Sequence, residues 1–174
     1  MPSNTAILGA AKITGRTNNG MSIGVLESLT ANSFARIDSI GDRSVQIVEP
    51  LTNYTVGSLR QELNKGNTIV SGIFTSTNRQ LTTETEDYLH RNAFTGGIDL
   101  QHMWANKKYL WGAKFYFSHV NGTEEAIVQT QRSSARYFQR PDANYVSLDS
   151  SRNSLTGTGG DRKSTRLNSS HRIR

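Results

Sequence analysis

The sequence predicts an all-β chain folded as an antiparallel up-and-down meander, and three observations predict it. Apolar and polar residues alternate with a period of two, most clearly from Asn92 to Ser118, which is the repeat of a strand. The breaks between alternating stretches come in a fixed order. They are tight at Asn18 to Gly20, Asn64 to Asn67 and Asn106 to Lys108, and long at Leu29 to Asn53, Gln80 to Arg91 and after Ser118. Finally, Trp104, Tyr109 and Trp111 gather beside one tight break. Loops sorted by end and an aromatic belt at one end of long strands are features of outer-membrane barrels. The expected fold is therefore an unclosed fragment of an outer-membrane-type β-barrel, of about seven strands where closure takes about eight.

The elements follow in order. A first strand, about Ile7 to Arg16, sets Gly9, Ala11 and Ile13 against Lys12, Thr14 and Arg16, and ends at an Asn-Gly turn, a strong hairpin signal. The second, about Met21 to Glu27, carries Met21, Ile23 and Val25 on one face. A polar excursion follows, with turn signals at Ile40-Gly41-Asp42 and Glu49-Pro50 and an extended piece at Ser44 to Val48. The third strand, Tyr54 to Leu63, puts Ser58, Arg60 and Glu62 together, and the fourth runs from Thr68 to Arg79 with a mixed pattern. The central hairpin aligns Phe94, Ile98, Leu100, Phe115 and Phe117 against Thr95, Asp99, Gln101 and Lys114. Beyond it, Glu124 to Ser134 reads as a short helix and Tyr145 to Asp149 as a seventh strand.

Placing charge decides which face meets lipid. A basic side chain on the lipid face near the bilayer midplane costs roughly 2–4 kcal/mol. Lys12, Arg16, Arg60, Glu62, Asp99 and Lys114 are accordingly expected to face a polar lumen. The opposite face, weakly apolar with Gly9, Ala11, Gly24 and Gly57, is expected to face the bilayer, and Trp104, Tyr109 and Trp111 are its interface aromatics.

The ends of the chain alter the charge balance. Asp161 to His171 matches, residue for residue, the translation of a short-read sequencing-library adaptor. Residues 1–160 are therefore read as the partial barrel region and 161–174 as an adaptor-derived, disordered artefact. The whole chain has 20 basic and 14 acidic residues and a sequence pI near 9.8. The tail holds five of the basic residues (Arg162, Lys163, Arg166, Arg172, Arg174) and one acidic residue, leaving 15 basic, 13 acidic and a net charge of +2. With the excess in the tail and the rest dispersed, nucleic acid is not an expected partner. Cys is absent, which removes disulfides, thiolate catalysis and Cys-based metal sites. No run of 18 apolar residues offers a transmembrane helix, and Met1-Pro2-Ser3-Asn4 is not a signal peptide. The expectation is an interior slice of a larger exported protein.

Family-specific strings then stand out: Ile7-Leu8-Gly9-Ala10-Ala11-Lys12-Ile13-Thr14-Gly15-Arg16-Thr17, Ser22-Ile23-Gly24-Val25-Leu26, Val48-Glu49-Pro50-Leu51-Thr52-Asn53-Tyr54, Thr77-Asn78-Arg79 and Tyr137-Phe138-Gln139-Arg140-Pro141-Asp142. Through them, from about Ala6 to Gly160, the chain resembles the C-terminal barrel region of the bacterial family called domain of unknown function 5916. The resemblance implies an upstream module similar to family 9 carbohydrate-binding domains, and so a link to polysaccharide. It supplies no catalytic residues, and any hydrolase association belongs to that upstream region.

No constellation for chemistry emerges. His90, His102 and His119 lack metal-ligand spacing. Glu84, Glu86 and Asp87 could approach calcium but have no EF-hand spacing, which favours a solvated face. Asp99 and Glu62 would form a glycosidase-like pair only if the fold set them across a cleft. No enzyme, no cofactor and no metal is expected. The expected role is a channel, transporter or anchor in the bacterial outer membrane, with the lipid bilayer as partner and polysaccharide reached through an upstream module. The alternative is a soluble secreted β-rich domain accessory to carbohydrate binding or hydrolysis. Strand length separates them: roughly 9–11 residues span a membrane, whereas strands of soluble proteins average roughly 5–6.

Overall fold

The computed structural model describes residues 4–39 and 42–166. The tail from Leu167 and part of the expected Ile40-Gly41-Asp42 turn lie outside them.

Among the described residues nine strands form, β1 (Ile7–Arg16), β2 (Met21–Thr30), β3 (Ser33–Ser39), β4 (Asp42–Glu49), β5 (Thr52–Leu63), β6 (Thr68–Arg79), β7 (Asn92–Trp104), β8 (Tyr109–Asn121) and β9 (Ser154–Arg166), with one α-helix, α1 (Glu124–Arg132). Seven of the strands make one antiparallel sheet in the order β1-β2-β5-β6-β7-β8-β9, so each new strand joins the previous edge. β3 and β4 form a separate hairpin inserted between β2 and β5. The seven sheet strands are 10 to 13 residues long. Among the described residues β1 pairs only with β2 and β9 only with β8, leaving both edges open.

The tight turns sit where Asn and Gly place them. Gly20 has φ 83°, and a Cβ there would come within 3.0 Å of the Glu62 carbonyl, so only glycine fits the first turn without strain. The β5–β6 turn is one 3-10 turn, Asn64–Gly66. The β7–β8 turn carries three successive left-handed residues, Ala105, Asn106 and Lys107. Asn tolerates that conformation; Ala and Lys are strained in it.

Adjacent glycines at the centre of β7 serve opposite faces. A Cβ on Gly96 would lie 2.6 Å from the Phe117 ring, and one on Gly97 would lie 2.7 Å from the Tyr116 ring. Each glycine makes the space into which its cross-strand partner lays an aromatic ring.

Three expectations need correction. The seventh strand is not at Tyr145 to Asp149, because the Gln131 side chain occupies the backbone there: its amide donates to the Asp149 carbonyl and accepts from the Asp149 N–H. The strand is instead Ser154–Arg166, whose glycine-rich first half carries almost no apolar alternation to reveal it. Residues 161–166, expected to be disordered, pair with β8 from Asp161 opposite Lys114 to Arg166 opposite Tyr109. The open edge of β8 supplies a row of unpaired N–H and C=O groups, and these bind extended chain with little regard to side chains. The second and third strands, finally, run past their expected bounds into the excursion of Leu29 to Asn53, β2 to Thr30 and β5 from Thr52, while the extended piece expected at Ser44 to Val48 lies within β4.

Candidate functional site

Residues paired across an antiparallel ladder share a face, so the register assigns both faces of the main sheet. One row runs Arg16, Ser22, Arg60, Ser71, Asp99, Lys114 and Asp161 across all seven strands. By the same alternation Lys12 lies two rows toward the long loops, beside Leu26, and Glu62 one row toward the tight turns, beside Ile69. All six side chains expected to line a lumen therefore share one face.

Five of the six form two ion-paired groups. Glu62 accepts an ion pair from Arg16 at 3.3 Å and another from Arg60 at 3.4 Å, and Lys114 Nζ sits 3.2 Å from Asp99 Oδ2. Asp99 and Glu62 project from β7 and β5, with β6 between them. Each carboxylate is committed to a basic neighbour, so they do not form a free catalytic pair.

The other face reads quite differently. Its central rows run Ile13, Val25, Gly57, Phe74, Gly96, Phe117 and Gly15, Ile23, Leu59, Gly72, Ile98, Phe115. Neither row contains a charge. Large apolar side chains here meet solvent, with Ile13 70 %, Ile98 59 % and Phe115 51 % exposed. The expected interface aromatics sit at the tight-turn end of this same face. Trp104 stacks on Tyr109 at 5.6 Å and on His102 at 5.8 Å, Lys108 Nζ lies 6.0 Å from the Tyr109 ring, and Trp111 pairs with His102. At the opposite end Phe94 stacks between Phe74 and His119, a second aromatic group that the sequence reading did not single out. Gly24, assigned by sequence to the apolar face, lies on the charged one, opposite Thr14 and Ser58.

β9 follows the facing pattern only as far as Gly160, which lies beside Phe115. Arg162 and Arg166 then enter the apolar face opposite Ala113 and Tyr109. The break in alternation falls within the adaptor-like segment.

At the long-loop end a cap of different construction forms. Ile127 and Ala126 on α1 and Ala143 in the segment after it are the buried apolar residues among those described. Thr123 caps α1, accepting from the Ala126 N–H and donating to the Glu86 carbonyl at 2.7 Å, and Gln129 donates to the Asp87 carbonyl. Backbone carbonyls of the acidic loop thus seat the helix. A hydrogen bond from Thr82 holds the Glu84 carboxyl below the usual range. Among the described residues no three His, Asp or Glu side chains converge as metal ligands. Thr130 donates to the Ala126 carbonyl, so His90 Nε2–H donates to Thr130 Oγ1 at 2.6 Å. Burial, aided by Arg79 and Arg136, pushes the His90 pKa down.

A long-stranded antiparallel wall with one face whose central rows are apolar and edged by aromatics, and one ionised face, defines the class of molecule. The chain belongs to the family described as Domain of unknown function (DUF5916), whose model matches residues 1–152. Neither the curated proteins nor the solved structures contain a significant match.

Proposed function

We propose that this chain supplies part of the wall of a bacterial outer-membrane β-barrel, acting as a channel, transporter or anchor in polysaccharide handling. The observation that carries the reading is the division of one sheet into two faces. Six ionised side chains from four strands share one side, and the other side presents exposed Ile, Val, Leu and Phe between aromatic groups. A face of that kind needs an apolar solvent. Dimensions support the same reading. From Phe94 to Trp104 along β7 the rise is roughly 33 Å at about 3.3 Å per residue. At a strand tilt near 40° this projects to about 25 Å, the height of an outer-membrane apolar band.

In this reading the ionised face lines the lumen, further strands complete the edges at β1 and β9, the tight turns are periplasmic, and the α1 cap lies outside the cell. Ile98→Arg or Phe115→Arg in the full-length protein is expected to block assembly, at roughly 2–4 kcal/mol for a midplane site. Gln101→Arg, on the lumen side, is expected to assemble. Heat-modifiable gel mobility reads the assembly, and protease treatment of intact cells reads the orientation. Equal tolerance of arginine on both faces, or cutting at Lys107 from outside the cell, would sink the proposal.

A further inference from the structure

The ionised face is interrupted at mid-height by a recess of about 380 Å³. Gly24 and Gly97 are among its lining residues, with the Ser58 hydroxyl over the first and the Tyr116 ring over the second, and further hydroxyls come from Ser22 and Ser71. Two features give it a chemical character. Arg60 and Asp99 stand on either side of Ser71 in one row and give the lining one charge of each sign, Arg60 sharing Glu62 with Arg16 and Asp99 pairing with Lys114. The recess therefore offers donors and acceptors without a net charge to attract an ion. The adjacent row, Ser58, Ile73, Gly97 and Tyr116, sets two apolar surfaces beside that charged row. Ile73 is 53 % exposed and Tyr116 48 % exposed, with the Tyr116 ring lying over Gly97.

We infer that this recess binds a neutral saccharide ring. An apolar platform beside a charge-balanced hydrogen-bonding rim matches a molecule with a C–H face and a rim of hydroxyls. A free anion drawn to Arg60 would also face the Asp99 carboxylate, and a free cation drawn to Asp99 would also face Arg60. The ring lies with its C–H face on Ile73 and Tyr116, and its hydroxyls meet Arg60, Ser71 and Asp99. The inference rests on the proposed barrel, in which this face lines the lumen, and it names the solute class that the wall recognises.

The test uses the full-length protein in detergent, with heat-modifiable mobility as the check on folding. Saturation-transfer NMR then measures contact with the neutral trisaccharides maltotriose and cellotriose and with trigalacturonate, which carries carboxylates. Transfer to the ring protons of a neutral trisaccharide is expected, falling at least fivefold in Tyr116→Ala and in Ile73→Thr and retained in Tyr116→Phe. Folded protein that shows no transfer to either neutral sugar, equal transfer in Tyr116→Ala, or a preference for trigalacturonate would overturn the saccharide site and leave the barrel standing. Protein with no heat-modifiable form would overturn the barrel and the site together.

Discussion

The seven-stranded sheet and the α1 cap solve the problem of burying apolar surface in opposite ways. The cap is a small conventional core: Ile127 and Gln131 are fully enclosed, and hydrogen bonds from Thr123, Gln129 and Gln131 satisfy the loop carbonyls around them. The sheet has many more large apolar side chains and encloses none of them; Ile98, Phe115 and Ile73 all remain about half exposed. A single layer has no second layer to pack against. The cap therefore closes on a core of its own, whereas the sheet leaves large apolar side chains about half exposed. That contrast predicts which substitutions each region feels.

The largest effect is expected in the cap core. Ile127→Ala removes the most enclosed aliphatic side chain and should cost about 2–5 kcal/mol. Because the sheet does not rest on that core, amide exchange in β6 and β7 should stay unchanged while protease cuts faster between Glu124 and Asp149. Faster exchange in β6 and β7 as well would show that the two regions fold as one unit.

A smaller effect is expected from Gln131→Leu, which keeps the bulk and strands the Asp149 N–H and C=O. Unsatisfied buried groups of this kind cost about 1–3 kcal/mol. Amide hydrogen exchange should quicken over Asp149 to Arg152 and stay unchanged in β7.

The smallest effect is a pH dependence confined to the cap. His90 titrates below its ordinary value because it is half-buried beside Arg79 and Arg136, so the unfolded chain takes up a proton before the folded cap does. The contribution of His90 is fully present above the unfolded pKa of about 6.5, and is lost as pH falls from there through the depressed folded value. Protection of the α1 amides, taken against their intrinsic exchange rates at each pH, should fall from pH 7.5 to 5.5 and stay flat across that interval in His90→Gln. An equal fall in the protection of β6 or β7 amides would place the sensitive group elsewhere.

Much of the sheet was legible in the sequence because period-two alternation and Asn-Gly turns are local signals. β6 runs over the expected residues, and β7 and β8 extend the expected hairpin by only three residues to Asn121. The shared face of Lys12, Arg16, Arg60, Glu62, Asp99 and Lys114 was legible too, since parity along each strand carries across a ladder once neighbouring strands pair in register. β9 was not, because Gly157, Gly159 and Gly160 leave no pattern to read, and its place depends on the free edge of β8.

By itself, then, the sequence determined the all-β class, the sorting of tight and long connections and the parity of the charged and aromatic residues, all of which follow from neighbours close along the chain. Only the tertiary structure decided which charges compensate each other, how Ile73 and Tyr116 come to flank Gly97, and that Gln131 rather than a strand partner claims Asp149. Those contacts join residues separated by 2 to 46 positions along the chain. They depend on register and on side-chain reach, quantities that no short window of sequence contains.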